Sequence, residues 1–301
     1  MVPQLGDGLR HRVAAGFRSI ISGDPAGTPD WVRALEDGED GGYFGPGSAV
    51  WAVHGDLATL VGGVRALLMQ ALHPAAVAGI DRHSTYRQDP LGRLSGTTRW
   101  LTVTTFGSRA AADREAARVR GMHRTVKGTF EDAAGASRAY RAADEHLLAW
   151  VHAAFTDSFL RSHEIFGGPI PGGPDAYVGQ WATAGQLVGL ARPPRTDLEL
   201  QGLITGFGSD LAYTPATART LAFLRRPPLA VPARAGYAVL FAAAASTLRP
   251  EHQELLRLPR HGVRVPRAAA SGLLRVLRAT LTQGPPASEA ARRRLTRLDA
   301  A

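Results

Sequence analysis

The 301-residue chain contains no cysteine. This absence excludes disulfide bonds, zinc–thiolate sites, iron–sulfur clusters, cysteine nucleophiles and thiolate ligands to iron. It also excludes the Cys-x-x-Cys-His pattern through which some cofactors are attached covalently. Any metal chemistry in this chain therefore has to use other donors, among which histidine is prominent.

Lysine is almost as rare, because Lys127 is the only one in the chain. The formal charge of +9 and the isoelectric point near 10.8 therefore come almost entirely from arginine, which is spread along the sequence. An arginine- and alanine-rich composition is also typical of biased codon usage. With no RNA-recognition motif, zinc-finger spacing or long basic run, we expect no nucleic-acid partner.

Long hydrophobic runs are missing as well. No stretch reaches the ~20 apolar residues that span a bilayer, and the first residues do not have the pattern of a secretory or twin-arginine signal. The sequence therefore predicts a cytoplasmic protein. Residues 8–22 form a short basic amphipathic pattern that fits either peripheral contact with a membrane surface or a helix docked on the core.

Hydrophobic residues make up 45% of the chain, enough for a sizeable core. Helical periodicity is strong and few strands are convincing, which predicts an all-α fold: a single globin-like or irregular multi-helix bundle domain. We divide the chain into an N-terminal amphipathic helix and connecting loop (1–47), a helical domain (48–265) and an arginine-rich amphipathic tail (266–301).

The most informative stretch contains a predicted helix that begins after Ser108 and ends at Gly128. Ser108 is a typical N-cap, and Gly128 suits a C-terminal stop. Spacings of four and three residues place five side chains on one inward-facing stripe: Ala112, Ala116, Val119, His123 and Val126. A buried imidazole needs a hydrogen-bond partner or a metal, so His123 is either a satisfied core histidine or a ligand.

A second polar group precedes this helix. Arg93, Thr97 and the slim Gly96 lie close together in sequence, and a helix would begin at Asp89-Pro90. The β-branched run from Trp100 to Phe106 also favours a strand, so both alternatives stay open there.

Two further helices complete the predicted centre. In the helix of residues 56–73, Arg65 interrupts an apolar face and needs an anion, either a cofactor carboxylate or a protein carboxylate. His73 precedes Pro74 at the helix end, where a capping role is favoured. In the helix of residues 137–165, His152 lies on an apolar face, and periodicity ranks it equal to His123 as a metal ligand. We expect both helices to pack against the helix of His123.

Five motifs follow one another along the chain. The first two are WAVHGD at 51–56 and LLMQALHPAAVAG at 67–79. The others are RLSGT at 93–97, VRGMHRTVKG at 119–128 and DEHLLAWVHA at 144–153. In this order they resemble, over roughly residues 48 to 260, the family of the latex-clearing rubber oxygenases and the MpaB-type oxygenases (DUF2236).

The resemblance implies a haem b cofactor, bound non-covalently here, with His123 as the proximal iron ligand and His152 as its rival. It places Arg93 and Thr97 near the haem, where Arg93 would steady a propionate or polarise oxygen and Thr97 would donate a hydrogen bond. Rubber oxygenases carry a distal lysine beside this threonine, whereas this chain has Gly96. We therefore expect an open distal site or a different sixth ligand.

The function that the resemblance implies is a haem-dependent oxygenase using O2 on an apolar substrate, of isoprenoid or unsaturated-lipid type. Two alternatives remain from the sequence. One is a non-catalytic haem-binding protein, and the other is a helical scaffold without a cofactor. The sequence does not determine the oligomeric state.

Overall fold

The computed structural model describes residue 24 and residues 28–83, 90–259, 264–281 and 285–300, without the side chains of residues 83, 90–95 and 232. The predicted amphipathic segment at residues 8–22 lies outside this part. Within it the fold is mostly α-helical, as predicted. The boundaries of the predicted domains stay predictions.

The described part of the chain contains fourteen α-helices and one two-stranded sheet. The elements before the sheet are α1 (Asp30–Arg33), α2 (Ala49–His54), α3 (Thr59–Gln70), α4 (Pro74–His83), α5 (Pro90–Phe106) and α6 (Arg109–Thr125). The sheet is β1 (Lys127–Glu131) and β2 (Ser137–Arg141). The elements after it are α7 (Glu145–Phe166), α8 (Gly173–Leu187), α9 (Asp197–Gly206), α10 (Pro215–Arg225), α11 (Val231–Ser246), α12 (Pro250–Leu255), α13 (Arg264–Thr280) and α14 (Pro286–Asp299). Short 3₁₀ turns occur at Ala34–Glu36 and Gly208–Asp210.

Helices α3 and α7 form the centre of the molecule and pack along each other. They come close together at Gly62, where an added Cβ would lie 2.7 Å from Cδ1 of Phe159. Helix α11 covers α3 and is itself covered by α13, while α8 and α9 cover α7. The glycine therefore allows the two central backbones to come close enough for the surrounding helices to complete the core.

The connection between α6 and α7 differs from the prediction. Residues 137–141 form strand β2 rather than the start of a helix, and β2 pairs antiparallel with β1, from Lys127 opposite Arg141 to Glu131 opposite Ser137. The turn is closed by Asp132, whose carboxylate accepts the backbone N–H groups of Ala134 and Ala136, and by Gly135 at φ +80°. This local turn chemistry outweighs the helix pattern.

The region around residues 100–106, where helix and strand competed in the sequence, is helical to Phe106. Helix α6 begins and ends close to its predicted bounds, but its position in the fold was predicted wrongly. Its main contacts are with α5 and α8, rather than with α3 and α7. An alanine-rich stripe presents little apolar surface, so the larger side chains of α3 and α7 meet each other instead.

No single helix in the described ranges is long and apolar enough to cross a membrane. Taken together, α3 and α4 would pass on length and composition, with a bend of 105° between Thr59–Gln70 and Pro74–Arg82.

Candidate functional site

Helices α5 and α6 form an antiparallel hairpin. Its tight turn needs Gly107, where a Cβ would lie 2.5 Å from the carbonyl oxygen of Val103, and α6 starts at Ser108, whose hydroxyl accepts the N–H of Ala111. Arg99 Nε lies 3.1 Å from Oε2 of the buried Glu115 and fixes the register of the hairpin. In this register the backbone of residue 93, in α5, lies beside the last turns of α6. The side chain of Arg93 lies outside the described residues.

His123 is half-buried in the last turn of α6 and borders a recess of about 190 Å³. This recess is lined by Arg120, His123, Arg124, Ala143, Leu148, Val188 and Gly189. A second recess of about 390 Å³ is lined by Tyr43, Asp113, Arg120, Thr183, Gln186 and Leu187. Arg120 lines both recesses, which together are called the α6–α8 groove.

The groove has a cationic end and a hydrogen-bonded acidic end. Arg120 and Arg124 flank His123, and the Arg120 guanidinium is held by the carbonyl of Leu187. At the other end, the hydroxyl of Tyr43 donates to Oδ1 of Asp113 at 2.7 Å, and this hydrogen bond is the main reason that the pKa of Tyr43 is raised. The arrangement places an imidazole beside two guanidinium groups, a set that suits a ligand carrying both a metal and carboxylates.

The structure brings together fewer of the predicted site residues than the resemblance implied. Thr97 is half-buried on α5. Arg65 lies in the core, where Nη1 is 2.7 Å from Oδ2 of Asp157. This confirms that Arg65 is buried and paired with a carboxylate, and the carboxylate belongs to the protein. Its assignment to cofactor binding stays a prediction.

His152, the rival to His123, is enclosed between α7 and α8. Its side chain lies against Gly185, where a Cβ would be 3.0 Å from Cε1 of the ring. Nε2 is 3.5 Å from the hydroxyl of Thr156, and burial lowers the pKa of His152 to about 4. It does not line either recess of the groove described above.

Sequence analysis did not single out His54, which lies in a buried polar network. Nδ1 is 2.8 Å from the hydroxyl of Thr105, and Nε2 is 2.9 Å from the hydroxyl of Tyr177. Burial, with a smaller contribution from His163, lowers the pKa of His54 to about 3. The network ties α2 to α5 and α8, and its only sequence signal was the WAVHGD motif.

A third histidine cluster was also missed. His73, His146 and Asp210 each offer one ligand atom, and these atoms all lie within 4.8 Å of one another. His146 Nε2 is 2.8 Å from Oδ2 of Asp210. Nδ1 of His73 accepts the N–H of Ala75 at 3.2 Å, so His73 does cap α4 as predicted. No local pattern indicates this cluster, because the three residues are far apart in the chain.

Together, the fold and the groove define an α-helical domain that presents a histidine between two arginines at its surface. The chain belongs to the family described as ER-bound oxygenase mpaB/B'/Rubber oxygenase, catalytic domain, whose model matches residues 51–283. The resemblance carried by the sequence motifs is thereby confirmed, and the family is one of oxygenase catalytic domains. Comparison with curated proteins and with solved structures gives no match.

Proposed function

We propose that this protein is a haem b-dependent oxygenase that uses O2 to oxidise an apolar substrate of isoprenoid or unsaturated-lipid type. The observation that carries the proposal is the position of His123. It occupies the motif position implied to bind iron, and it borders an open groove rather than a closed core.

The donor set of the groove fits a haem. The half-buried imidazole of His123 can hold the iron, and Arg120 and Arg124 line the same recess as partners for the two propionate carboxylates. A bound haem would supply the activation of O2. Arg93 and Thr97 keep the secondary roles that the resemblance gives them.

The volume of the groove limits whether a haem can bind there. The recess at His123, about 190 Å³, is smaller than typical cofactor sites of roughly 300–1,000 Å³, whereas the adjoining recess of about 390 Å³ is within that range. Haem insertion therefore requires the groove to widen.

The groove wall supports an apolar substrate. Leu148, Leu187 and Val188 line the two recesses, so the space beside His123 offers apolar surface as well as charge. Such apolar surface favours contact with a hydrocarbon chain.

The test uses the full chain purified after haem-supplemented expression. We expect a Soret band, about one iron per chain, and O2 consumption that depends on adding a prenyl or polyisoprene substrate. A Soret band without substrate-dependent O2 consumption would identify a non-catalytic haem-binding protein. Absence of both haem and iron would identify a helical scaffold and overturn the proposal.

A further inference from the structure

We infer that His73, His146 and Asp210 bind a divalent transition-metal ion, with Zn²⁺ as the simplest probe. This cluster shares no residue with the α6–α8 groove, so the inference does not rest on the proposed function. Two imidazoles and one carboxylate form a donor set that zinc and related ions commonly use, with water in the remaining positions.

The first observation is the proximity of the ligand atoms. One from each residue lies within 4.8 Å of the others, and His146 Nε2 already contacts Oδ2 of Asp210 at 2.8 Å. A small movement of the exposed His146 and Asp210 side chains is enough to bring all three atoms to a common ion.

The second observation concerns His73, whose side chain is only 5% exposed. Its Nε2 is buried and has no hydrogen-bond partner among the described residues, whereas Nδ1 is occupied at the start of α4. A buried polar atom without a partner is costly, and coordination of a metal ion would give Nε2 a partner. When Nε2 binds a metal, the proton of the neutral ring lies on Nδ1. Nδ1 can then no longer accept the 3.2 Å hydrogen bond from the Ala75 N–H.

The backbone of the fold places the three residues beside one another. His73 follows α3, His146 lies in the first turn of α7, and Asp210 ends a 3₁₀ turn. The N–H of Ala212 donates to the carbonyl of Leu72 at 2.9 Å, which fixes the Asp210 segment beside His73. The ring of Phe207 lies 4.5 Å from that of His146 and 6.0 Å from that of His73.

The site is also accessible from solvent. The side chains of His146 and Asp210 are 66% and 40% exposed, so an ion can reach His73 from this side and keep water ligands. The competing explanation is a simple surface hydrogen bond between His146 and Asp210, which needs no metal and leaves Nε2 of His73 unused.

Calorimetric titration of the haem-free full chain with Zn²⁺ separates these explanations. We expect one equivalent to bind and its affinity to fall at least about tenfold in His146→Ala and in Asp210→Asn. The exposed Asp299→Asn is a matched control and should bind like the wild type. His123→Ala should also keep the ion, which distinguishes this site from a metal held in the groove.

Two outcomes would overturn the inference. One is a wild type without a one-equivalent site, and the other is Zn²⁺ binding that His146→Ala and Asp210→Asn leave unchanged. Because His73 is buried, replacing it risks unfolding, so its role is tested in the wild type. The ¹⁵N resonance of His73 Nε2 should shift on Zn²⁺ titration, and an unchanged resonance would also refute the site.

Discussion

Nη1 of Arg65 lies 2.7 Å from Oδ2 of Asp157, and both side chains are only 2% exposed. The pair joins α3 to α7 in the centre of the fold. Ser158 accepts a further hydrogen bond from Arg65, and Gln201 donates one to Asp157. Burial acts to raise the pKa of Asp157, but its hydrogen bonds and nearby guanidinium groups outweigh burial, so the pKa is lowered and the carboxylate stays ionised.

We predict that Asp157→Asn lowers the free energy of unfolding by about 3–5 kcal/mol, because it leaves the charge of Arg65 buried without a counter-charge. The double variant Arg65→Met/Asp157→Leu should be much closer to the wild type, since it removes both charges. Chemical denaturation measures both. Asp30→Asn, at an exposed ion pair with Arg33, is the control and should hardly change the midpoint. A wild-type midpoint for Asp157→Asn would contradict the prediction.

Two adjacent glycines of α3 should respond in opposite directions to alanine. At Gly62 the new methyl group would lie 2.7 Å from Cδ1 and 3.2 Å from Cα of Phe159, so Gly62→Ala should destabilise the fold by about 1–3 kcal/mol. At Gly63 no atom lies within 4 Å, so Gly63→Ala should stabilise it by up to about 1 kcal/mol. Thermal unfolding of the two variants tests this, and equal effects would mean that α3 and α7 do not cross at Gly62.

The stability of the protein should fall as the pH decreases from about 6.5. The pKa of His54 is lowered to about 3 in the folded state, so the unfolded chain binds a proton near pH 6.5 that the folded chain does not. The stability that comes from keeping His54 neutral is fully present above pH 6.5 and is lost progressively below it. Between pH 7 and pH 5 it amounts to about 2 kcal/mol.

His54→Gln isolates this contribution. Glutamine can keep hydrogen bonds to Thr105 and Tyr177 but does not titrate, so the loss of stability between pH 7 and pH 5 should be smaller by about 2 kcal/mol than in the wild type. His152, with a pKa of about 4, contributes in the same direction and remains in both proteins. Identical pH dependence in the two proteins would show that His54 is not held neutral.

For the cofactor, we predict that His123→Ala loses stoichiometric haem, whereas His152→Ala largely keeps it. His123 borders the open groove, while His152 is enclosed against Gly185. The ratio of Soret absorbance to protein and the iron content measure the outcome, with circular dichroism to verify that each variant is folded. Full haem with an unchanged spectrum in His123→Ala would transfer the assignment to His152.

Substitutions of the groove arginines and of Arg93 should have different effects on haem binding and on turnover. Arg120→Ala and Arg124→Ala should each weaken haem binding about tenfold, because a charge-assisted contact to a propionate is lost. Arg118→Ala is the matched control on the same helix, since Arg118 pairs with Glu115 instead. Arg93→Ala should keep the Soret band but reduce turnover. If Arg118→Ala were as harmful as Arg120→Ala, the groove would not be the haem site.

The sequence by itself determined most of the helices, because the signals for a helix are local. Ser108 caps α6 as predicted, and Ala112, Ala116 and Val119 are buried on its stripe. The interruption of an apolar face by Arg65 was enough to predict a buried ion pair, since an unpaired charge there is too costly. The ordered motifs also gave the family, because each of them is a contiguous stretch of sequence.

Only the tertiary structure decided which helices meet and which polar groups converge. The periodicity of α6 shows that it buries one face, but not that this face meets α5 and α8 instead of α3 and α7. Residues 137–141 form a strand because the turn closed by Asp132 and Gly135 lets them pair with β1. Packing between elements that are distant in the chain places Arg120 and Arg124 in the groove. The same packing brings His73, His146 and Asp210 together. The local sequence does not predict these contacts, because they depend on how the apolar faces of all the helices are buried together.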